Sequence, residues 1–428
     1  MKLCLLINLA VSIASAPAID EDRSQPNPVL EQFWRDSLKR INDEETYAEL
    51  LDSIGLMGKE ASQAIPALLD DLKSDVVYRR KLACKALAVI GRSKEPVIAA
   101  IIELSGDAEF RVQYEAEAAL VKFDQLAAPL LEKAMADANG STRIRYAELL
   151  FRVTHHPEKS LPVLIAGLKD ADSGVRYQAA GVLGMMGRAA APAVKALATR
   201  LDDPDPYYRM DAALHLWSVE RNSERVIPIV KSVLEDREFT AQTSVALALL
   251  ERMGTQAHEL APLIVKLCSD PDENKRISAV NYLCLVCSDP KIYLPVLRTC
   301  LSDTNPLVRG NCAIALAKAG AVARGEAPLI RKLLKDDNPL TRVQAAMALW
   351  RLDADVDRTL PVLIAGLDSA DRMAVINSLN ALGEIGPPAK PAVPVLLERL
   401  KNSRLRPSYV KETINLIDPE ALRLHGGR

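Results

Sequence analysis

The stretch PVLIAGLKDADSGVRYQAAGVLGMMG (Pro162–Gly187) has a counterpart further along the chain, PVLRTCLSDTNPLVRGNCAIALAKAG (Pro295–Gly320). Both run from a proline through branched apolar residues to an acidic turn, an arginine, a pair of small residues and a closing glycine. Recurrence of the same residue types in the same order indicates a repeat array, in which each unit buries its apolar face against its neighbours. Such an array favours function on an extended surface rather than in a single pocket.

Prolines mark eleven repeats, with gaps of 30 to 36 residues and a constant gap of 33 from Pro262 onward. Each proline is followed after two residues by a branched apolar residue, and after four more by another apolar residue. Positions i and i+4 share a helix face, so every repeat opens with an amphipathic helix, the A helix. The proline suits its first turn. The prolines are Pro66, Pro96, Pro129, Pro162, Pro192, Pro228, Pro262, Pro295, Pro328, Pro361 and Pro394.

A second helix, the B helix, follows the acidic turn. Asp and Asn in that turn cap it by accepting its free amides, and we predict that it starts at an arginine such as Arg80. Several B helices end on a glycine, which takes a left-handed cap without steric cost. The sequence therefore predicts an all-α fold, an α-solenoid wound as a right-handed superhelix of about eleven helix pairs.

The strings VRYQAAGVLGMMG (Val175–Gly187) and VRGNCAIALAKAG (Val308–Gly320) resemble HEAT repeats, specifically the phycobilisome-lyase (PBS lyase) type. The resemblance covers about residues 45 to 418. A 33-residue period also fits ankyrin and tetratricopeptide repeats, but their signature strings are absent. The resemblance implies that aspartates and arginines link neighbouring repeats as a ladder, here Asp170, Asp270, Asp303, Asp336, Arg176, Arg276, Arg309 and Arg342. An arginine row that binds phosphates is the alternative.

The N-terminus has the order of a secretory signal: Lys2, an apolar run, then small residues that suit cleavage after Ala18. We expect residues 1–18 to be a cleavable signal peptide and 19–28 a linker. Residues 29–61 then form capping helices, 62–418 the HEAT-like array and 419–428 a C-terminal tail. The protein is thus expected to be exported, periplasmic or extracellular, with no membrane span in the mature chain.

Charge is nearly balanced, with 54 basic and 56 acidic residues, and this composition argues against a nucleic-acid partner.

Cysteines are the strongest candidates for a chemical role, because Cys284 and Cys287 have metal-ligand spacing. Yet both occupy positions that other repeats fill with small packing residues, which favours buried free thiols. A redox role for the pair stays open. One His-Glu dipeptide, His258-Glu259, is too few for the di-iron site of deoxyhypusine hydroxylases. We expect no cofactor and assign no catalytic or metal-binding residue.

Uncharged B-helix residues are predicted to face the concave side and to contact protein, with Trp217 and Trp350 nearby; ordinary solvated surface is the alternative. The sequence predicts a non-enzymatic protein-interaction scaffold. The alternative is a lyase or oxidoreductase of HEAT-like ancestry, similar to bilin lyases or deoxyhypusine hydroxylases. Partner identity and oligomeric state stay open. The candidate contact residues are Tyr177, Gln178, Asn311, Gln344, Asn377 and Asn380.

Overall fold

The computed structural model describes residues 28–56, 58–91, 94–236, 241–402 and 407–425. The predicted signal peptide and all of the predicted linker except Pro28 lie outside these residues. Every regular element in the described ranges is helical, as the repeat pattern predicts. The chain forms two compact modules. The N-terminal module holds the described residues up to Asp202 together with His215–Arg221; the C-terminal module holds Asp203–Leu214 and the described residues from Asn222 onward.

In the N-terminal module two leading helices precede the A and B helices of the first four repeats and the A helix of the fifth. The bounds are α1 Pro28–Lys39, α2 Glu44–Leu56, α3 Ile65–Asp71, α4 Val77–Ile90, α5 Glu95–Leu104, α6 Phe110–Phe123, α7 Ala128–Asp137, α8 Gly140–Thr154, α9 Ser160–Gly167, α10 Ser173–Met186 and α11 Val194–Ala198.

Helix α12 (Pro206–Glu220) contributes residues to both modules. The C-terminal module continues the alternation of A and B helices and closes on a short helix. The bounds are α13 Ile227–Leu234, α14 Ala241–Met253, α15 Ala261–Leu267, α16 Glu273–Val286, α17 Pro290–Cys300, α18 Pro306–Ala319, α19 Ala327–Lys332, α20 Pro339–Asp353, α21 Val356–Gly366, α22 Arg372–Ile385, α23 Val393–Asn402, α24 Pro407–Ile417 and α25 Pro419–His425.

Apolar burial follows the repeat. Of the eleven residues that stand two positions after a marker proline, ten are buried and only Val194, on the five-residue helix α11, is half-buried. The B helices contribute a matching row, in which Leu183 and Leu316 are fully buried. The core of each module is therefore a continuous strip between its A and B helices, as expected for a solenoid.

The turns cap the B helices as expected: the side chains of Asp172, Asp272 and Asn305 each accept the amide two residues later, at 2.7–2.8 Å. The predicted starting point was wrong, because the arginine is the fourth residue of its helix rather than the first; α18, for example, begins at Pro306 and contains Arg309. Capping by the turn residue sets the start, and the arginine lies one turn further on.

Two A helices begin earlier than the proline pattern predicts. In α17 and α21 the marker proline is the sixth residue, because Asp289 and Asp355 cap a helix that starts upstream of it. The Asp289 carboxylate accepts the amide of Lys291 at 2.9 Å. An aspartate cap with good geometry thus outweighs the preference of proline for the first turn.

The residues after the B helices differ in backbone conformation. Gly187, Gly254, Gly320 and Gly386 have φ between 54° and 68°, where a side chain is strained. Cys287, at the equivalent position, has φ −102° and ψ 112°. Position 287 therefore differs from its glycine counterparts, since its backbone is extended and suits any residue.

The segment predicted as a tail contains helix α25, which packs on α24. Pro419 stands at its first position, and the amides of Glu420 and Ala421 are accepted by the side chain and carbonyl of Asp418. The Asp-Pro pair supplies both a cap and a favourable first turn, which starts the helix.

Candidate protein-binding surface

The B helices form the inner face of each module. Neighbouring B helices, such as α4 and α6 or α18 and α20, contact one another along their length, whereas consecutive A helices barely touch. Closer spacing on one side of a helix stack makes that side concave. The side chains that point outward from the B helices form a surface that is here called the B face. They are therefore candidates for contacts with a partner protein.

The ladder on the turns has a definite geometry. The Nε and Nη2 atoms of Arg309 donate to the two carboxylate oxygens of Asp336, both at 2.7 Å. Its Nη1 donates to the carbonyls of Asp303 and Thr304 at 2.8 and 3.1 Å. One arginine thus holds its own turn and the turn of the next repeat through a fixed fork of donors.

Arg276 repeats this arrangement with Asp303, at 2.8 and 3.0 Å. Arg80 pairs with Asp107 in the same two-bond manner, at 2.7 and 2.9 Å. The sequence analysis missed Asp107, although its spacing of 27 residues from Arg80 equals the spacing in the other pairs. These contacts join consecutive repeats within each module.

The ion pairs shift the titration of the aspartates. Burial acts to raise the pKa of Asp336, but the guanidinium of Arg309 and the amide of Asn338 outweigh it, so that the pKa lies below its usual value. Arg80 lowers the pKa of Asp107 in the same way. An oppositely charged donor at hydrogen-bond distance stabilises the ionised carboxylate.

Other predicted ladder residues make only part of these contacts. Arg176 donates to the carbonyls of Asp170 and Ala171, both at 2.8 Å. Asp270 accepts the amide of Asp272, and the repeat before it has Thr243 where the arginine would stand. Arg342 donates from Nη1 to the carbonyls of Asp336 and Asp337 at 2.7 and 3.1 Å.

The six predicted contact residues divide by exposure. Tyr177, Gln178 and Asn380 are exposed, while Asn311 and Asn377 are half-buried.

Gln344 is a correction, because it is buried (9% exposed) between α18 and α20 and donates from Nε2 to Oδ1 of Asn311 at 3.0 Å. It is close to Gly310, where a Cβ atom would overlap its Oε1 atom. Trp217, named as lying near the predicted contact residues, is buried, with 1% of its surface exposed.

A groove on the B face of the N-terminal module lies between α6, α8 and α10 and has a volume of about 360 Å³. Its lining includes Glu117, Arg145, Glu148, Gln178 and Met185. Burial raises the pKa of Glu148, which is half-buried, and the negative charge of Glu117 acts in the same direction.

Arg152 spans the two carboxylates of this groove, at 2.7 Å from Glu117 and 3.5 Å from Glu148. Exposed Tyr114 (62%) and Tyr177 occupy equivalent positions on α6 and α10. The groove lining thus combines charged residues with Met185 and other apolar residues, and the two exposed tyrosines stand on two of the three helices that form it. Such a mixture is common at protein interfaces.

A second groove, of about 340 Å³, lies on the B face of the C-terminal module between α16 and α18. Asn281, Cys284, Tyr293, Asn311 and Lys318 contribute to its lining. Of the predicted contact residues, only Asn311 lines this groove. Sequence reasoning missed Asn281 and Lys318, although both stand on the same helix faces at helical spacing.

The cysteines of the described residues are all free thiols. Cys287 is buried, whereas Cys284 is half-buried and lines the second groove; burial raises its pKa to about 11. A thiol with a raised pKa is a poor nucleophile at neutral pH.

Within the described ranges, no three His, Cys, Asp or Glu side chains are grouped to hold a metal ion. No described helix combines the length and apolar character needed to cross a membrane.

A family model described as HEAT repeats matches residues 127–217, 260–327 and 326–413, together more than half of the chain. Together with the paired helices and the ladder, this match places the chain in the HEAT-repeat family. Its fold is an α-solenoid. No curated protein matches the sequence significantly.

Among solved structures, the chain is similar to Kap95p, from a study in which Kap95p binding induces the switch loops of RanGDP to adopt the GTP-bound conformation. The identity is 12% and the TM-score 0.53, over 99% of this chain and 65% of that one. Kap121p bound to Pho4p matches at 16% identity and TM-score 0.44, over 99% and 48% of the two chains. The chain thus spans less than two thirds of the length of these two proteins. At 12% identity, the similarity to Kap95p shows a shared fold and nothing more.

Proposed function

We propose that this protein is a non-enzymatic interaction scaffold that binds a partner protein through its B face. The groove between α6, α8 and α10 carries the proposal, because charged and apolar residues line it and two of its helices carry the exposed side chains of Tyr114 and Tyr177. Aromatic anchors supply most of the binding energy in protein interfaces, and a charged rim sets orientation. Kap95p, which shares the solenoid fold, comes from a study of its binding to RanGDP.

The test replaces Tyr114 and Tyr177 together by alanine. The exposed fractions of Tyr114 and Tyr177 are 62% and 39%, and circular dichroism and thermal melts check that the fold is unaltered. Pull-down from native envelope extract should recover a stoichiometric partner with the wild type, and the double variant should lose at least roughly tenfold in affinity, since two anchors each contribute above ~1 kcal/mol. Val322→Ala, at an exposed site outside the B helices, is the matched control. Equal recovery by all three proteins would contradict the proposal.

We further propose that the protein is exported after cleavage behind Ala18, and that its repeats belong to the phycobilisome-lyase type. The order of a basic residue, an apolar run and small residues supports export. N-terminal sequencing of the protein from the native host should give Ile19 as the first residue. A chain that retains Met1 and stays in the cytoplasm would contradict export, and stoichiometric bound bilin or iron would favour an enzyme over a scaffold.

A further inference from the structure

Arg342, like Arg176, uses only the part of its fork that binds its own turn. Arg80, Arg276 and Arg309 each direct Nε and Nη2 at a carboxylate of the next repeat. Arg342 makes the two bonds to its own turn from Nη1, yet within the described residues its Nε and Nη2 have no carboxylate at hydrogen-bond distance.

The missing carboxylate partner of Arg342 is explained by the sequence of the next repeat. The position 27 residues beyond Arg342 is Ser369, where the other pairs have aspartate. The Ser369 hydroxyl accepts the amide of Asp371 at 3.1 Å, just as Asp336 accepts the amide of Asn338 at 3.0 Å. Serine therefore retains the local turn and lacks only the group that would pair with the arginine.

The neighbouring carboxylate does not substitute for the missing one. Asp368 is paired with Arg399, and its side chain is 68% exposed. Arg342 instead lines an open groove of about 430 Å³, to which Asp368 and Ser369 also contribute. Apolar side chains form much of the wall, among them Leu334, Val343 and Val362. A pre-positioned guanidinium at the edge of an apolar groove is suited to a carboxylate carried on an apolar segment.

We propose that Arg342 and this groove form a carboxylate-binding subsite for an Asp or Glu side chain of a partner protein, flanked by apolar residues. The geometry of the three occupied pairs supports a planar carboxylate, bound by two parallel N–H···O bonds. The subsite presupposes that the protein acts by binding other proteins, but its residues are separate from those changed in the B-face test.

The experiment uses the full chain with 15N-labelled arginine, in which the Nε–Hε signal of Arg342 is assigned by its loss in Arg342→Lys. N-acetyl-Leu-Asp-Leu-amide is the probe, and the peptide with asparagine at the centre is its control. We expect a saturable shift of the Arg342 signal with the acidic peptide only, while the signal of the paired Arg309 stays unchanged.

Two variants of one position complete the design. Ser369→Asp supplies an internal carboxylate and should weaken binding of the acidic peptide by roughly tenfold or more, because a tethered group competes at high effective concentration. Ser369→Asn keeps the turn acceptor without the charge and should retain binding. No shift with the acidic peptide, an equal shift with the asparagine peptide, or unchanged binding to Ser369→Asp would each overturn the subsite. A shift with inorganic phosphate but not with the acidic peptide would assign a phosphate site instead.

Discussion

Equivalent positions of the two modules differ sharply in exposure. In α10 of the N-terminal module, Tyr177 and Gln178 are exposed. In α18 of the C-terminal module the same two positions hold buried Gly310 and half-buried Asn311, covered in part by Gln344 from the next B helix. The small residue at position 310 admits a neighbouring side chain, so that the face is packed rather than open. Residue size at a single repeat position thus decides whether a B helix offers a surface or a contact between repeats.

The largest expected effect concerns the apolar row that both modules share. Leu183→Ala and Leu316→Ala should each lower the free energy of unfolding by about 2–5 kcal/mol, since both side chains are fully buried. Leu416→Ala, on α24, should cost far less because that side chain is 56% exposed. Denaturant melts measure all three, and a small loss at 183 or 316 would show that the repeat rows are not equivalent.

Gly310→Ala tests the packed face directly. The new methyl group would overlap Gln344, so we expect a loss of about 1–3 kcal/mol from overpacking. Gly325→Ala is the matched control, because no atom lies within 4 Å of a Cβ there.

Gln344→Ala added to Gly310→Ala should recover part of the stability by removing the obstructing side chain. If the double variant melts no higher than the single one, Gln344 does not determine the packing at position 310.

Arg309→Gln should destabilise the C-terminal module by about 1–3 kcal/mol, because it leaves the carboxylate of Asp336 without its charged partner. The Asp336 side chain is only 6% exposed, so water replaces the lost bonds poorly. Arg358→Gln should cost little, because the Arg358 side chain is 62% exposed and water can replace its contact with Asp355. Equal thermal stability of the two variants would argue against a structural role for the ladder.

The ladder also predicts the acid response. The pKa values of Asp107, Asp303 and Asp336 are lower in the folded protein than in the unfolded chain. Their contribution to stability is therefore complete above the unfolded aspartate pKa, near 4, and is lost as the pH falls through the folded values. Asp336→Asn should flatten this decline in melts between about pH 5 and pH 2. An unchanged pH profile would contradict the assignment.

The smallest effect is expected for the thiols of the second groove. Cys284→Ala with Cys287→Ala should leave the fold and partner binding nearly unchanged, because position 287 has an extended backbone that alanine accepts. Thiol reagents should label the native pair slowly, given the raised pKa of Cys284. Mass spectrometry without reductant gives the result; a Cys284–Cys287 disulfide would give the pair a redox role.

The sequence by itself determined the repeat, the all-α class and the capping turns, because these depend on periodicity and on bonds between residues close in the chain. It also contained the spacing of 27 residues between Arg80 and Asp107, but only in the folded structure do the two side chains meet. Exposure on the B face was decided by the tertiary structure. Whether Gln344 is a surface residue or a buried one depends on Gly310 in the preceding repeat, and no pattern within one helix records the size of its neighbour's side chains.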